Sequence, residues 1–552
     1  MFEEFSILKN TILNYTPPLP DIFSNLHNLS FKVESSSVKF SSKDSDLRIL
    51  KELFPLTSQL PYVQLITSSN NPSPKLKIGV FFSGGPSPGG HNVISGILNA
   101  IKRLSKENKL FGFLNGAEGL IQNDYIEITE NLMSHYKNLG GFNVIGSGRK
   151  KININVHGDI IVQNIKQLNL NALVIIGGDG SNTNTVILAE YFLQRKIDIS
   201  VIGVPKTIDG DLSHKFLNIS FGFDTATKFY SSLIGNISRD VLSSKTSYHF
   251  IKLMGRSASH IALECALQTH PNIALIGEEI AYKQIPLDVI IKKIVKIIKQ
   301  RASLGKFYGI VLIPEGIIEF IPEIIDLVEE IEKKSPLSNE NLSEKLSPKS
   351  WQLLSQLPKK IINQLLFDRD VYGNVWLAKI SVEEFFINLV KQELEKDNLH
   401  IPFNAISHSL GYEGRSSLPT KFDNTYCYAL GFSVVGLIKN KLTGYLATID
   451  NLHKPIEQWK SYGIPIAAML ELVKDKKNNH TFPLIKKHLV EMSCPSFLTF
   501  ANYRKLWQIE DAYRFIGPMQ WDVSQTHSTQ NLPFCLTLKE SSEYKINQLY
   551  FK

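Results

Sequence analysis

Three times in this chain an apolar, β-branched run breaks into glycine and acid. Residues 172–176 lead into Gly177-Gly178-Asp179-Gly180-Ser181, and residues 199–204 into Pro205-Lys206-Thr207-Ile208-Asp209-Gly210-Asp211. A third run, 78–82, leads into Ser83-Gly84-Gly85-Pro86-Ser87-Pro88-Gly89-Gly90. Short apolar runs ending in turn residues read as buried strands. Their loops then leave the carboxyl ends of the strands, where open α/β sheets bind ligands. The loops hold what phosphoryl transfer needs: glycine backbone close to anionic oxygens, an acid for Mg²⁺, and an acid to accept a hydroxyl proton.

The spacing predicts alternating strands and helices, hence an α/β chain with parallel sheets covered on both faces. Helices are expected at 92–106, 183–195, 258–269 and 287–300, and strands at 77–82, 172–176, 199–204, 248–254, 273–276 and 307–313. The helix at 287–300 is basic and amphipathic, a pattern that suits a membrane surface or, better, a core-packed helix beside a strand. Residues 1–75 carry proline punctuation and read as an extension packed on the body, with 35–45 exposed. Residues 320–400 read as a charged, helix-rich insertion with Ser/Pro/Asn punctuation at 335–347. Strand-and-loop texture returns at 405–414, and a helix is expected from near Asn424.

At 552 residues the chain has room for two or three domains. Its 60 basic and 52 acidic residues give a net charge of +8, which suits small anions. Neither a run of basic residues nor a basic patch interleaved with aromatics marks nucleic acid as a partner. The four cysteines, Cys265, Cys427, Cys494 and Cys535, form no C-x-x-C pair, so reduced thiols in a cytoplasmic protein are expected. The start, Met1-Phe2-Glu3-Glu4-Phe5, is acidic and unlike a signal peptide, and no apolar stretch is long enough to span a membrane. The histidines include no H-E-x-x-H, and Gly255-Arg256-Ser257-Ala258-Ser259 is not a hydrolase elbow.

Each candidate residue has a plain alternative. Gly84 and Gly85 can bring backbone N–H groups to a phosphate, or simply make a tight turn. Asp179 can hold Mg²⁺ or cap a helix. Asp209 and Asp211, at i and i+2, point the same way if the stretch is extended. One can then take a proton while the other positions the hydroxyl or helps hold the metal, or the pair can be an Asp-Gly-Asp turn. Thr207 adds a hydroxyl. Arg256 in Met254-Gly255-Arg256, Arg415 in Tyr412-Glu413-Gly414-Arg415 and Arg149 in Ser147-Gly148-Arg149 follow strands and can bind phosphate bidentately, or lie on the surface.

Taken in order, these segments, together with Pro314-Glu315-Gly316, resemble the 6-phosphofructokinase family. The length, extension and insertion resemble its long pyrophosphate-dependent class, which includes the plant β subunit and spirochaete-type enzymes. The resemblance implies two phosphofructokinase-type, Rossmann-like α/β domains with parallel central sheets, plus the N-terminal extension and helical insertion. It divides the chain into an extension (1–75), a phosphoryl-donor domain (76–245), a fructose 6-phosphate domain (246–455, insertion about 320–400) and a C-terminal segment packed on the body (456–552).

It implies transfer of a phosphoryl group to O1 of fructose 6-phosphate, with Mg²⁺, in a cytoplasmic homodimer. Gly84 and Arg149 would contact the donor, and Asp179 would hold Mg²⁺. Asp209 would be the general base, with Thr207, Asp211 and Ile208 beside it. Met254, Gly255, Arg256, Glu315, Tyr412, Glu413, Gly414 and Arg415 would bind the sugar phosphate, and Arg256, with Arg149 and Lys206, would also stabilise charge on the transferring and leaving groups.

Two positions depart from the class. Its second acid after Gly-Gly-Asp, which repels the α-phosphate of ATP, is here Gly180. Its lysine before Thr-Ile-Asp, which would stabilise the departing phosphate, is present as Lys206. Lys206 and the long-class layout favour pyrophosphate, and Gly180 leaves ATP as the alternative. The class's Lys-Tyr pair, which reaches the sugar phosphate across a dimer interface, is here Thr246-Ser247, with Lys245 one residue earlier. A non-catalytic regulatory subunit is the reading of another class. The presence of both Asp179 and Asp209 argues against it.

Overall fold

The computed structural model describes residues 12–34, 38–68, 75–334, 342–369, 375–396, 401–474, 481–517 and 532–541. The first five residues, Pro72, Pro74, residues 35–37 and the punctuation at 335–341 lie outside these. Two compact units form. Met1–Ala226 and Arg415–His488 build the first; Thr227–Gly414, helix Pro495–Ile509 and helix Phe534–Ser541 belong to the second. This departs from the expected four segments, because residues 415–488 return to the first unit.

The first unit is organised by one sheet. In spatial order its strands are β1 (Leu29–Val33), β2 (Val63–Thr67), β14 (Lys460–Pro465), β13 (Tyr445–Asp450), β8 (Ser200–Pro205), β7 (Ala172–Gly177), β3 (Lys77–Ser83), β4 (Lys109–Phe113) and β5 (Tyr125–Ile128), with short β6 (Ser147–Gly148) paired to β3. The middle is parallel, as expected: β13, β8, β7, β3 and β4. Every residue of β7 and β8 is buried, so both faces are covered. The margins around this parallel centre are antiparallel. Strands β1 and β2 come from the N-terminal extension, while β14 follows β13 and β5 follows β4 after short connections, so no long crossover imposes parallel pairing there. The extension is also held by Glu190, a buried carboxylate in helix Asp179–Gln194. It accepts the N–H of Leu56 at 3.1 Å, and the N–H and hydroxyl of Thr57, each at 2.8 Å.

Chain order reverses between β3 and β7. From β3 the chain crosses through helix Gly90–Leu104 to β4 on one side, and later enters β7 on the other. That reversal opens a crevice at the carboxyl ends of the strands. Phe82 pairs with Ile176 and Gly177 with Pro205, so the three strands end level and deliver their loops to one edge.

In the second unit β10 (Ile273–Ala274), β11 (Gly309–Pro314), β9 (Tyr248–Leu253) and β12 (Ala405–Leu410) form a wholly parallel sheet in that order. Helix Leu287–Ala302 buries Ile290, Ile291, Ile294, Ile297 and Ile298 against it and turns its lysines outward, so the core-packed reading holds. The expected insertion is helical, with helices Pro322–Lys333, Pro348–Ser355, Lys359–Phe367 and Val382–Glu395. It is not a separate body. Ile324, Leu327, Ile361, Phe385 and Phe386 join the same apolar cluster as Phe250 and Val311 of the sheet.

The tail after helix Pro495–Ile509 is fastened by fully buried Arg301. Its guanidinium donates to Asp511 at 2.7 Å, and to the carbonyls of Ile509 at 2.9 Å and Tyr308 at 3.0 Å. A buried cation needs such a complete set of partners.

Candidate active site

The first loop leaves β3 through Gly84, whose φ of 88° lies in the left-handed region. Its N–H donates to the Gly148 carbonyl at 2.9 Å, and its carbonyl accepts from the Ser147 hydroxyl at 2.6 Å. Those bonds bring the segment carrying exposed Arg149 alongside. A Cβ at Gly84 would lie 3.4 Å from the Lys206 ammonium, and one at Gly85 would lie 2.8 Å from the Arg415 guanidinium. Glycine here lets two cations approach the bare backbone.

The second loop is shorter than expected, because helix Asp179–Gln194 starts four residues before 183. Asp179 is its first residue and accepts the Gly180 N–H at 2.7 Å. A carboxylate in a first turn faces the positive end of the helix dipole. Two residues not singled out from sequence hold this turn. Buried Asn182 donates to the Gly177 carbonyl at 2.7 Å and to that of Gly178 at 3.0 Å. The Ser181 hydroxyl donates to that of Ser83 at 2.8 Å, tying the second loop to the first. Gly180 is exposed, and a Cβ there would meet nothing within 4 Å.

The third loop continues the ladder with Lys206 N–H donating to the Gly177 carbonyl at 3.0 Å, and the Lys206 side chain is buried. It then bends at 208–209, and Gly210 takes φ 72°. The stretch is therefore not extended, and the i, i+2 geometry assumed for Asp209 and Asp211 is not adopted. Thr207 Oγ1 accepts the Asp209 N–H at 3.1 Å, and Ile208 is buried. Burial pushes the Asp211 carboxyl above the usual range, and the negative charge of Asp179 adds to this; Lys487 and the Thr207 hydroxyl pull it back. Asp179, Thr207 and Lys487 thus all act on the Asp211 carboxyl.

Asp423, also unpredicted, stands behind these loops. It accepts the N–H groups of Gly222 at 3.0 Å and Thr225 at 2.9 Å, where helix Phe223–Ser244 begins. Burial, with Asp224 beside it, pushes its carboxyl to about 7.

Oxygen donors at the ends of two strands suit a hard cation. Mg²⁺ is commonly held by one or two carboxylates, with substrate phosphates and water completing the shell. Asp179 and Asp211 fit that pattern. Among the described residues no cluster of three or more His, Cys, Asp or Glu makes a self-sufficient cage.

The second unit repeats the arrangement with different side chains. Leu253 pairs with both Pro314 and Leu410, so the loops carrying Met254-Gly255-Arg256, Glu315-Gly316 and Tyr412-Glu413-Gly414 leave one edge. Buried Glu315 accepts the Gly255 N–H at 3.2 Å, and the Gly316 N–H donates to the Gly255 carbonyl at 3.2 Å. The Tyr230 hydroxyl donates to the Gly411 carbonyl at 2.5 Å, and Glu413 accepts the Gly411 N–H at 2.8 Å. Arg256 and Tyr412 are exposed. The Tyr-Glu-Gly-Arg segment, read as one element, is divided: Tyr412 to Gly414 belong to the second unit, and Arg415 to the first. At the departed Lys-Tyr position, the Ser247 hydroxyl accepts from Asn404 at 2.8 Å.

These features define an α/β protein with glycine and acid loops at the switch point of a doubly wound sheet. The chain belongs to the phosphofructokinase family, which its residues 77–438 match. The pyrophosphate–fructose 6-phosphate 1-phosphotransferase of Entamoeba histolytica is 40% identical over 530 residues, covering 94% of this chain and 96% of its own. Subunit beta 1 of the Arabidopsis thaliana protein of that name is 41% identical over 529 residues, covering 94% and 92%. Among solved structures, the pyrophosphate-dependent phosphofructokinase of Marinobacter aquaeolei has the same fold. Its TM-score is 0.53 at 15% identity, covering 82% of this chain and 96% of that one.

Proposed function

We propose that this chain transfers a phosphoryl group from pyrophosphate to O1 of fructose 6-phosphate, giving fructose 1,6-bisphosphate and phosphate. The observation that carries the reading is the near-full-length identity of about two residues in five to proteins named for that reaction. The clustering of Asp179, Lys206, Thr207 and Asp211 at the strand ends supports it.

In this reading Asp209 takes the O1 proton as O1 attacks the nearer phosphorus in line. Lys206 stabilises the departing phosphate, and Gly84 and Arg149 bind donor oxygens. Asp179, with Asp211, holds Mg²⁺, which neutralises phosphate charge when bound. Arg256, Met254, Gly255, Glu315, Tyr412, Glu413, Gly414 and Arg415 bind the sugar phosphate. A phosphoanhydride is exchanged for a phosphoester at modest driving force, so the reaction runs both ways. A homodimer and a cytoplasmic setting go with the reading, and none of the four cysteines forms a disulfide, as a reducing compartment favours. ATP, the alternative that Gly180 left open, is not favoured, because the relatives are named for pyrophosphate.

A donor comparison tests it. Purified protein with fructose 6-phosphate and Mg²⁺ should form fructose 1,6-bisphosphate with pyrophosphate. Turnover with ATP alone would overturn the donor, and turnover with neither would overturn the reaction.

A further inference from the structure

The C-terminal region of the chain carries no recognisable motif, yet it delivers a cation to the acid loops. Strands β15 (Leu470–Lys474) and β16 (Thr481–Ile485) pair antiparallel. At the end of β16 the N–H of buried Ile485 donates to Thr183 Oγ1 at 3.3 Å. That hydroxyl donates in turn to the Asp179 carbonyl at 3.0 Å, so the strand end is fastened to the helix turn that carries Asp179. Three residues on, the His488 N–H donates to the Asp211 carbonyl at 2.8 Å.

Between these anchors lie two lysines with different fates. Lys486 is exposed, and its ammonium donates to the Ser41 carbonyl at 3.3 Å. Lys487 is half-buried and immediately precedes His488, so the His488–Asp211 backbone bond holds it beside the segment that carries Asp211. The two backbone anchors thus bring this lysine next to the acid loops, 276 residues further along the chain than Asp211.

We infer that Lys487 is a donor-binding residue, whose ammonium holds the phosphate group of pyrophosphate that departs as inorganic phosphate. The inference rests on the proposed reaction and adds to it. Pyrophosphate has no base or sugar to grip, so its binding must come from charge-assisted hydrogen bonds to phosphate oxygens. Three carboxylates, Asp179, Asp209 and Asp211, occupy the receiving loops, and an oligoanion entering beside them needs more than one cation. Lys206 enters from the loop, and Lys487 from the returning segment. Lysine suits the task as a compact point charge on a flexible stem.

The test compares the full-length wild type with Lys487→Met, which keeps most of the stem, and Lys487→Arg. Each substrate is varied at saturating levels of the other, and thermal stabilisation by pyrophosphate with Mg²⁺ and by fructose 6-phosphate is read separately. Lys487→Met should raise KM for pyrophosphate roughly ten- to hundredfold and remove most of the stabilisation by pyrophosphate. KM for fructose 6-phosphate should stay within about twofold. Lys487→Arg should restore most of the donor affinity. An unchanged pyrophosphate KM, a fall in kcat alone, or an equal rise in both KM values would overturn the inference. If the wild type turns over only ATP, the proposed reaction fails by itself, and Lys487 is judged on stabilisation by pyrophosphate. A wild type that pyrophosphate does not stabilise overturns it as well.

Discussion

The two units present the same device, three level strand ends with three loops, and furnish it differently. In the first unit the loops are stitched to one another by Asn182, Ser181, Ser83 and Ser147, and the Asp211 carboxyl is pushed up by burial and by Asp179. In the second, the buried loop acid Glu315 is engaged by backbone, and the long side chains Arg256 and Tyr412 stand exposed. Crowded like charge on a fixed backbone suits bond-making, which loses rate with small misplacements. Exposed arginine and tyrosine suit recognition. Parallel strand ends therefore fix where loops go, and the residues on them decide what each set does.

The sharpest way to break this comparison is Asp209→Ala. It should lower kcat by roughly 10²–10⁴-fold while leaving fructose 6-phosphate binding nearly intact. Near-normal turnover would remove the first unit's claim to the chemistry. Next in size is Arg256→Ala, which should raise KM for fructose 6-phosphate roughly tenfold or more with a smaller change in kcat. A variant that loses kcat at unchanged KM would move the second set from recognition to chemistry.

Asn182→Ala tests the stitching. It removes both bonds to the glycine turn, so it should cost about 1–3 kcal/mol of stability and lower kcat several-fold, read by denaturant melts and rates. The smallest effect concerns His91, at the start of the helix that follows the first loop. Its ring is buried, meets the Tyr136 carbonyl at 3.2 Å and accepts the Val144 N–H at 3.3 Å, and burial lowers its pKa to about 4. The folded state thus binds this proton less readily than the unfolded state does. Its stabilising contribution is full above about pH 6.5 and is lost as pH falls toward 4. Melting should show ~2 kcal/mol lost from this site between about pH 7 and 5, and His91→Gln should flatten that share of the slope. An unchanged slope in the variant would assign the loss to the other histidines whose pKa burial lowers, His214, His249, His270 and His408.

Much of this architecture was legible in the sequence because it is local. The runs at 172–176 and 199–204 announce buried strands, and the glycines after them announce tight turns. The start of helix Asp179–Gln194 was not, because Gly-Ser-Asn-Thr reads as loop. Two of those side chains instead bond to carbonyls of the turn and helix, Asn182 to Gly177 and Thr183 to Asp179, and Thr185 just beyond bonds to Ser181. Antiparallel pairing of β14 with β2 was also hidden, since β2 lies remote in sequence. Lys487 was hidden for the same reason. No residue beside it resembles a motif, and only the β15–β16 hairpin and the His488–Asp211 bond bring it to the acids. The sheet core and the glycine-acid loops were thus readable, while the cross-chain fastenings were not.

The return of residues 415–488 to the first unit also has a consequence for synthesis. Strand β8 finds its outer neighbour only in β13, where Ile202 pairs with Tyr445. At ~5–20 residues per second, β8 waits on the order of tens of seconds for that partner to be made. Throughout that interval a fully buried strand of the finished fold is an open edge, able to pair with other chains. The nascent first unit is therefore at its most aggregation-prone while the second unit is being translated, and a truncation just before residue 445 should be insoluble even though it carries every acid of the candidate site.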